Sequence, residues 1–125
     1  MRQVSLILFL VLLILSGCNS PSNVNISASR SNENSKLASE LHARGLKLYN
    51  EGKYEEAIQA WEEELILTPE NANAAVNIGI AYSRLKKSEK AFEYYKKALE
   101  KDPKFFKAYY LLGGLHYQWI RGIAF

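Results

Sequence analysis

An interval of 34 residues organises the second half of this chain. It separates Gly45 from Gly79 and Gly79 from Gly113. The same interval separates matching residues of other types: Ala57 and Ala91, Trp61 and Tyr95, Pro69 and Pro103. A unit of this length cannot bury its apolar face alone and must stack on its neighbours. The spacing therefore predicts a short array of repeated units.

The repeated residues resemble the tetratricopeptide repeat, which carries an aromatic residue, Leu-Gly, Tyr, Ala, a second aromatic residue and Pro in order. The copies are 38–71, 72–105 and a partial 106–119, and the second copy matches best. The departures from the pattern are Leu41, Arg44, Leu48 and His116. The resemblance implies an all-α fold of antiparallel helical hairpins, stacked as a short right-handed solenoid over 37–119.

The hairpins predict five helices. Their expected ranges are 36–50, 54–67, 71–84, 88–101 and 105–119. We expect the repeated glycines to let paired helices approach closely, and Gly52 to end the first helix.

The chain begins with an apolar segment that is typical of a secretory signal. Val4–Leu15 contains no charged residue, and Arg2 precedes it. The segment is short for a membrane-spanning helix, which needs roughly 20 apolar residues. A permanent transmembrane anchor is the alternative.

Leu15-Ser16-Gly17-Cys18 resembles the bacterial lipobox and contains the only cysteine of the chain. The resemblance implies a signal peptide over 1–17, cleavage between Gly17 and Cys18, and lipidation of Cys18. A free thiol or an intermolecular disulfide is the other interpretation of this cysteine. A lipoprotein would lie on the periplasmic side of the outer membrane in a Gram-negative cell, or on the outer face of the cell membrane in a Gram-positive one.

Residues 18–36 are rich in polar residues, with six Ser and five Asn among nineteen. Such a segment buries too little apolar surface to offset the entropy of ordering. We expect it to be a flexible tether between the membrane and the repeats.

No pattern in the sequence indicates an enzyme or a metal site. His42 and His116 have no partner at metal-ligand spacing, and no phosphate-binding loop or nucleophile motif occurs. The formal charge of +3 is too weak to indicate nucleic acid. We expect no catalysis, cofactor or metal, and we interpret Glu62–Glu64 as part of a solvated helix face.

In the resembling family, the first helix of each repeat lines a groove that holds a peptide or another protein. The corresponding residues here are His42, Leu46, Tyr49, Asn73, Asn77, Ile80, Lys107 and Tyr110. Some members bind a C-terminal carboxylate through five polar positions. Asn77 and Lys107 match that set, whereas His42, Leu46 and Leu111 do not, so the ligand class stays open.

The sequence of the last helix predicts an apolar face that no following helix covers. The face contains Leu112, Leu115, Trp119 and Ile120 and continues into the tail, 120–125. Three explanations compete: a longer repeat protein, an interface with a partner or a second copy, and contact with the membrane. The pattern stops within a repeat, which favours the first explanation, a longer repeat protein. We also expect self-association through this face.

Together these patterns predict a lipid-anchored scaffold that binds proteins at the cell envelope. The alternative is an accessory subunit, or the truncated N-terminal part of a larger envelope enzyme or assembly factor.

Overall fold

Five α-helices form the described part of the chain, which in this computed structural model is residues 23–122. They are α1 (Asn23–Asn50), α2 (Tyr54–Leu67), α3 (Ala72–Arg84), α4 (Ser88–Lys101) and α5 (Phe106–Ile120). No strand occurs among these residues, and the predicted all-α fold is confirmed. The chain divides into two units, 1–32 and 33–125, and the helical hairpins belong to the second.

The predicted helix boundaries agree with the structure except at the start of the array. α2 and α4 have the predicted ranges, α3 begins one residue later, and α5 both begins and ends one residue later. α1 begins at Asn23, so the part of the predicted tether that is described is helical rather than irregular. Extending an existing helix adds a hydrogen bond for each residue fixed, which favours helix even where no side chain is buried.

The predicted role of 18–36 as a tether stays a prediction. The signal peptide, the Gly17–Cys18 cleavage site and residues 123–125 lie outside the described residues.

At two of the repeated glycines, an aromatic side chain of the paired helix occupies the space that a glycine side chain would need. A Cβ atom at Gly45 would clash with the Trp61 indole, and one at Gly79 would clash with the Tyr95 ring. Trp61 and Tyr95 are each 1 % exposed. Each hairpin is therefore closed by an aromatic ring that lies directly on a glycine.

The first helix of each complete hairpin ends with the same backbone geometry. Gly52 has φ +78°, and Lys86, 34 residues later, has φ +58°. Both turns also share a backbone hydrogen bond. The Lys53 amide donates to the Leu48 carbonyl at 2.9 Å, and the Lys87 amide donates to the Tyr82 carbonyl at 2.9 Å. Gly52 ends its helix as predicted, since glycine adopts positive φ without steric cost.

Small side chains dominate the interior between hairpins. Ala75, Ala91, Ala98 and Ala108 are fully buried and cluster with Tyr95. Trp61 also packs in one cluster with Ile78 and Ala81 of α3, which joins the two hairpins.

α5 differs from the apolar face predicted for it. Leu115 is buried and Leu112 is half-buried against the core, whereas Trp119 and Ile120 are exposed. The two leucines pack with the core cluster that contains residues of α3 and α4, so the predicted uncovered face is wrong for Leu112 and Leu115.

Candidate functional site

A groove of about 720 Å³ lies where α1, α3 and α5 approach one another. We define the groove by the side chains that line it: Ser35, Ala38, Ser39, His42, Ala43, Leu46, Glu64, Thr68, Asn71, Asn73, Asn77 and Lys107. Most of these residues belong to the first helix of a repeat. The second helix of the first repeat contributes Glu64, and the following turn contributes Thr68 and Asn71.

A buried carboxylate forms the floor of the groove. Glu64 is 2 % exposed. His42 Nδ1 lies 3.0 and 3.1 Å from its two oxygens, and Asn71 Nδ2 donates to Oε1 at 2.7 Å. A buried charge needs such partners because leaving it unpaired costs several kcal/mol.

This network fixes the orientation of the His42 ring. A carboxylate accepts hydrogen bonds, so Nδ1 is the donor and Nε2 is the ring atom that can meet a ligand. The ring is about one third exposed, with 32 % of its side-chain surface accessible. His42 therefore presents a defined polar atom at the groove rather than a freely rotating ring.

Asn71 serves both the groove and the start of α3. Its Oδ1 accepts backbone hydrogen bonds from Asn73 at 3.0 Å and Ala74 at 3.3 Å, while its Nδ2 binds Glu64. An asparagine at the N-cap satisfies amide groups that have no partner inside the helix. The floor of the groove and the first turn of α3 are thus held by one side chain.

The structure brings five of the eight predicted groove residues together: His42, Leu46, Asn73, Asn77 and Lys107. The other three lie elsewhere. The Tyr49 hydroxyl accepts a hydrogen bond of 2.9 Å from Arg84 Nε, and its ring contacts Tyr54. Ile80 packs against the core, and Tyr110 is exposed on α5 without lining the groove.

Glu64 and Asn71 are groove residues that the sequence reasoning missed. Interpreting Glu62–Glu64 as a solvated face is wrong for Glu64. The sequence does indicate that Glu64 is buried, because Glu64 lies three residues after Trp61 and seven after Ala57. This spacing places all three residues on one helix face. Glu62 also has a partner, since the Tyr94 hydroxyl donates to it at 2.8 Å between α2 and α4.

The groove combines neutral polar groups with a small apolar surface. Serine hydroxyls and asparagine amides can pair with a peptide backbone, and Leu46 and Ala43 can contact an apolar side chain. Lys107 and buried Glu64 are its charged residues. Among residues 23–122, no group of three His, Cys, Asp or Glu could hold a metal ion, and no helix has the length and apolar character to cross a membrane.

A second cavity, of about 710 Å³, lies between α4 and α5. Phe92, Leu115 and Trp119 give it an apolar floor, and charged residues of α4 surround them. It contains none of the predicted groove residues.

Comparison with curated proteins finds two relatives that are similar to this chain over part of its length. The chain is 31% identical over 85 residues to the small glutamine-rich tetratricopeptide repeat-containing protein of Dictyostelium discoideum. It is 36% identical over 75 residues to the photosystem I assembly protein Ycf3 of Synechococcus sp. (strain CC9605). These alignments cover 68% and 58% of this chain, but only 25% and 43% of the relatives.

Among solved structures, the second TPR of Spaghetti (RPAP3), bound to the HSP90 peptide SRMEEVD, matches with a TM-score of 0.67. The match covers 74% of this chain and 85% of that one, at 25% sequence identity. The family model for the tetratricopeptide repeat matches residues 42–104, just over half of the chain. The hairpins, the glycine contacts and this match lead to one conclusion: the chain belongs to the tetratricopeptide-repeat family.

Proposed function

We propose that the chain is a non-catalytic scaffold that binds an extended peptide segment of another protein in the groove. The observation that carries this proposal is the convergence of Ser39, Asn73 and Asn77 on one open groove with a fixed floor. Preorganised polar groups favour binding because little conformational freedom is lost when the ligand arrives. The solved relative with an HSP90 peptide bound supports the same use of a related fold.

The groove chemistry favours backbone recognition over recognition of an acidic terminus. The peptide of the solved relative, SRMEEVD, is rich in acidic residues. In the groove of this chain, Lys107 is accompanied by the buried Glu64 carboxylate, and Leu46 stands where a carboxylate-binding groove needs a polar residue. We therefore propose a largely uncharged peptide segment as the ligand, with an apolar side chain near Leu46.

Selection from a random heptapeptide library tests this function. The full chain in nonionic detergent would select peptides, and fluorescence anisotropy would measure their affinity. We expect Asn77→Leu to weaken binding at least about ten-fold, since it removes donors and acceptors that have been desolvated by the peptide. Glu93→Gln, on α4 outside the groove, is the control. Failure to enrich any peptide, or equal affinities for both variants, would contradict the proposal.

Amidation of the peptide C-terminus separates the two ligand classes. Backbone recognition predicts the same affinity for the acid and the amide of a selected peptide. A large loss on amidation would instead indicate a carboxylate site and would overturn the ligand class, while leaving the groove as the site of binding.

We further propose that lipid on Cys18 holds this scaffold at the cell envelope. The proposal is supported by the lipobox-like Leu15–Cys18 sequence and the apolar segment before it. Acyl chains on one terminal residue give stable anchoring when two or more are present.

Metabolic labelling with a radioactive fatty acid tests this anchor. Cys18→Ser should abolish labelling of the full chain and leave an uncleaved precursor, whereas Ser20→Ala should change neither. Labelling that survives Cys18→Ser would sink the proposal.

Assembly of a multiprotein complex is the second candidate function. The similarity to a photosystem I assembly protein favours it over an accessory role in an envelope enzyme. An assembly factor would bind a subunit before the complex forms and be absent from the finished complex. Stable co-purification of the chain with a finished enzyme would favour the accessory role.

A further inference from the structure

The outer side of α5 carries a continuous stripe of exposed apolar and aromatic residues. We define the stripe by Phe106, Tyr109, Tyr110, Gly113, Tyr117 and Ile120. Residues seven apart return to nearly the same side of a helix, so Phe106, Gly113 and Ile120 mark its axis. Phe106 and Tyr110 are each 81 % exposed. Single exposed apolar residues are ordinary, but a contiguous stripe indicates a contact surface.

The internal repeat identifies which surface this is. Gly45 and Gly79 are each covered by an aromatic ring of the following helix, whereas nothing lies within 4 Å of a Cβ atom at Gly113. Tyr109 is 53 % exposed, although Ala75, at the same position of the second repeat, is fully buried. In both complete repeats, this side of the first helix packs against the second helix. Among the described residues, nothing packs against the corresponding side of α5.

The stripe is nearly symmetric about Gly113. Tyr109 and Tyr117 lie four residues before and after it, and Phe106 and Ile120 lie seven residues before and after it. Two antiparallel copies of such a helix, related by a two-fold axis at Gly113, match Tyr109 with Tyr117 and Phe106 with Ile120. Tyr110 is the exception, because its counterpart is His116, which lies outside the stripe. A two-fold interface uses the same patch on both subunits and must be complementary to itself, which this pattern is.

Charge also favours a second copy. Two identical faces repel each other if they carry the same net charge, and the stripe residues themselves include no acid or base apart from tyrosine hydroxyls. Among the described residues, the basic group that contacts them is the Arg121 guanidinium, which packs on the Tyr117 ring and donates to the Tyr117 hydroxyl at 3.1 Å. Lys107, the one basic residue in the first turn of α5, lines the groove instead. Glycine at the crossing point leaves room for the partner helix, just as Gly45 and Gly79 leave room for an aromatic ring inside the hairpins.

We propose that a second copy of this chain covers the stripe through two antiparallel α5 helices that cross at Gly113. Tyr109 of each copy then packs against Tyr117 of the other, and Phe106 packs against Ile120. The pairing leaves the groove free, so one assembly presents two grooves.

Sedimentation equilibrium of the full chain in density-matched nonionic detergent tests the pairing. The chain should show a monomer–dimer equilibrium, and Gly113→Glu should raise its dissociation constant at least about ten-fold, because it places two like charges at the crossing point. Open space around Gly113 allows this variant to fold, which circular dichroism would verify. Asn73→Glu, in the groove, is the control and should dimerise normally.

Disulfide cross-linking tests the antiparallel arrangement in a Cys18→Ser background. Gly113→Cys should cross-link to itself, and a mixture of Tyr109→Cys and Tyr117→Cys should form mixed dimers. Tyr109→Cys alone should not cross-link, because two copies of this position would be about 12 Å apart along the helices, beyond the reach of a disulfide.

Three results would overturn the proposal. One is a dimer that persists in Gly113→Glu, and another is self-cross-linking of Tyr109→Cys, which indicates parallel helices. The third is a monomer at every concentration. Binding of that monomer to phosphatidylcholine vesicles, abolished by Gly113→Glu, would assign the stripe to a lipid surface instead.

Discussion

At Gly79, the absence of a side chain determines how closely α3 and α4 approach. The Tyr95 ring occupies the space that a Cβ atom would need, and the Ala91 carbonyl oxygen would lie only 3.2 Å from that atom. Gly113 has the same position in the repeat but no ring upon it. The same residue type therefore has a packing role in one repeat and an open environment in the next.

Replacing Gly79 with leucine should destabilise the fold. Overpacking at such a contact costs about 1–3 kcal/mol because neighbouring side chains and backbone must move. Gly114→Leu is the matched control, since nothing lies within 4 Å of its Cβ position and leucine favours helix. Urea unfolding followed by circular dichroism measures both variants. A free energy of unfolding unchanged by Gly79→Leu would refute the hairpin contact.

The Tyr95 hydroxyl makes the free energy of unfolding depend on pH in the alkaline range. Burial raises the pKa of the Tyr95 hydroxyl to about 12. Burial and a hydrogen bond to Glu62 also raise the pKa of Tyr94 well above its usual value. A raised pKa in the folded state means that the stabilisation is complete below the unfolded pKa of about 10 and is lost as pH rises through the folded value.

Unfolding free energies at pH 9, 10 and 11 should therefore fall as pH rises. The part due to Tyr95 is on the order of 1–2 kcal/mol when pH approaches 12. Tyr95→Phe removes one titrating group and should make the decline shallower, leaving the part due to Tyr94. Tyr110→Phe, at an exposed position, should leave the decline unchanged. A decline that is equally steep in Tyr95→Phe would show that this hydroxyl does not titrate with unfolding.

At the scale of helices, the repeat spacing predicted elements far better than composition did. α2 and α4 were predictable to the residue because Ala, Trp or Tyr, and Pro recur at fixed positions around them. Composition favoured an irregular segment over 18–36, yet the described part of it is helical. Low burial limits how strongly a segment is held in place, but it does not exclude local helix.

Lys86 lies in the turn that ends α3 and has a backbone conformation that normally favours glycine. It adopts the positive φ that Gly52 adopts in the first repeat. Lys86→Gly should stabilise the chain by up to about 1 kcal/mol, since relief of the backbone strain outweighs the greater entropy of unfolded glycine. Gly52→Ala should cost about as much. Thermal unfolding of the two variants measures the effect, and a lower melting temperature for Lys86→Gly would contradict the shared turn geometry.

At the scale of the whole chain, the family pattern located five residues of the groove but not its floor. The repeat register brought His42, Leu46, Asn73, Asn77 and Lys107 to the surface predicted for them. It missed Glu64 because a run of acidic residues usually faces water, and it misplaced Tyr49, whose ring packs against Tyr54. Contacts with residues of other helices determine whether such side chains are buried or exposed. The spacing of residues along one helix does not reveal these contacts.

Side-chain amide NMR of Asn73 and Asn77 tests peptide binding in the groove most directly. The full chain in micelles would be titrated with the strongest heptapeptide from the library, with the indole N–H of Trp119 reporting on the α4–α5 cavity. We predict saturable shifts at both asparagine side chains and none at Trp119. Shifts at Trp119 without any change at Asn73 and Asn77 would contradict the account.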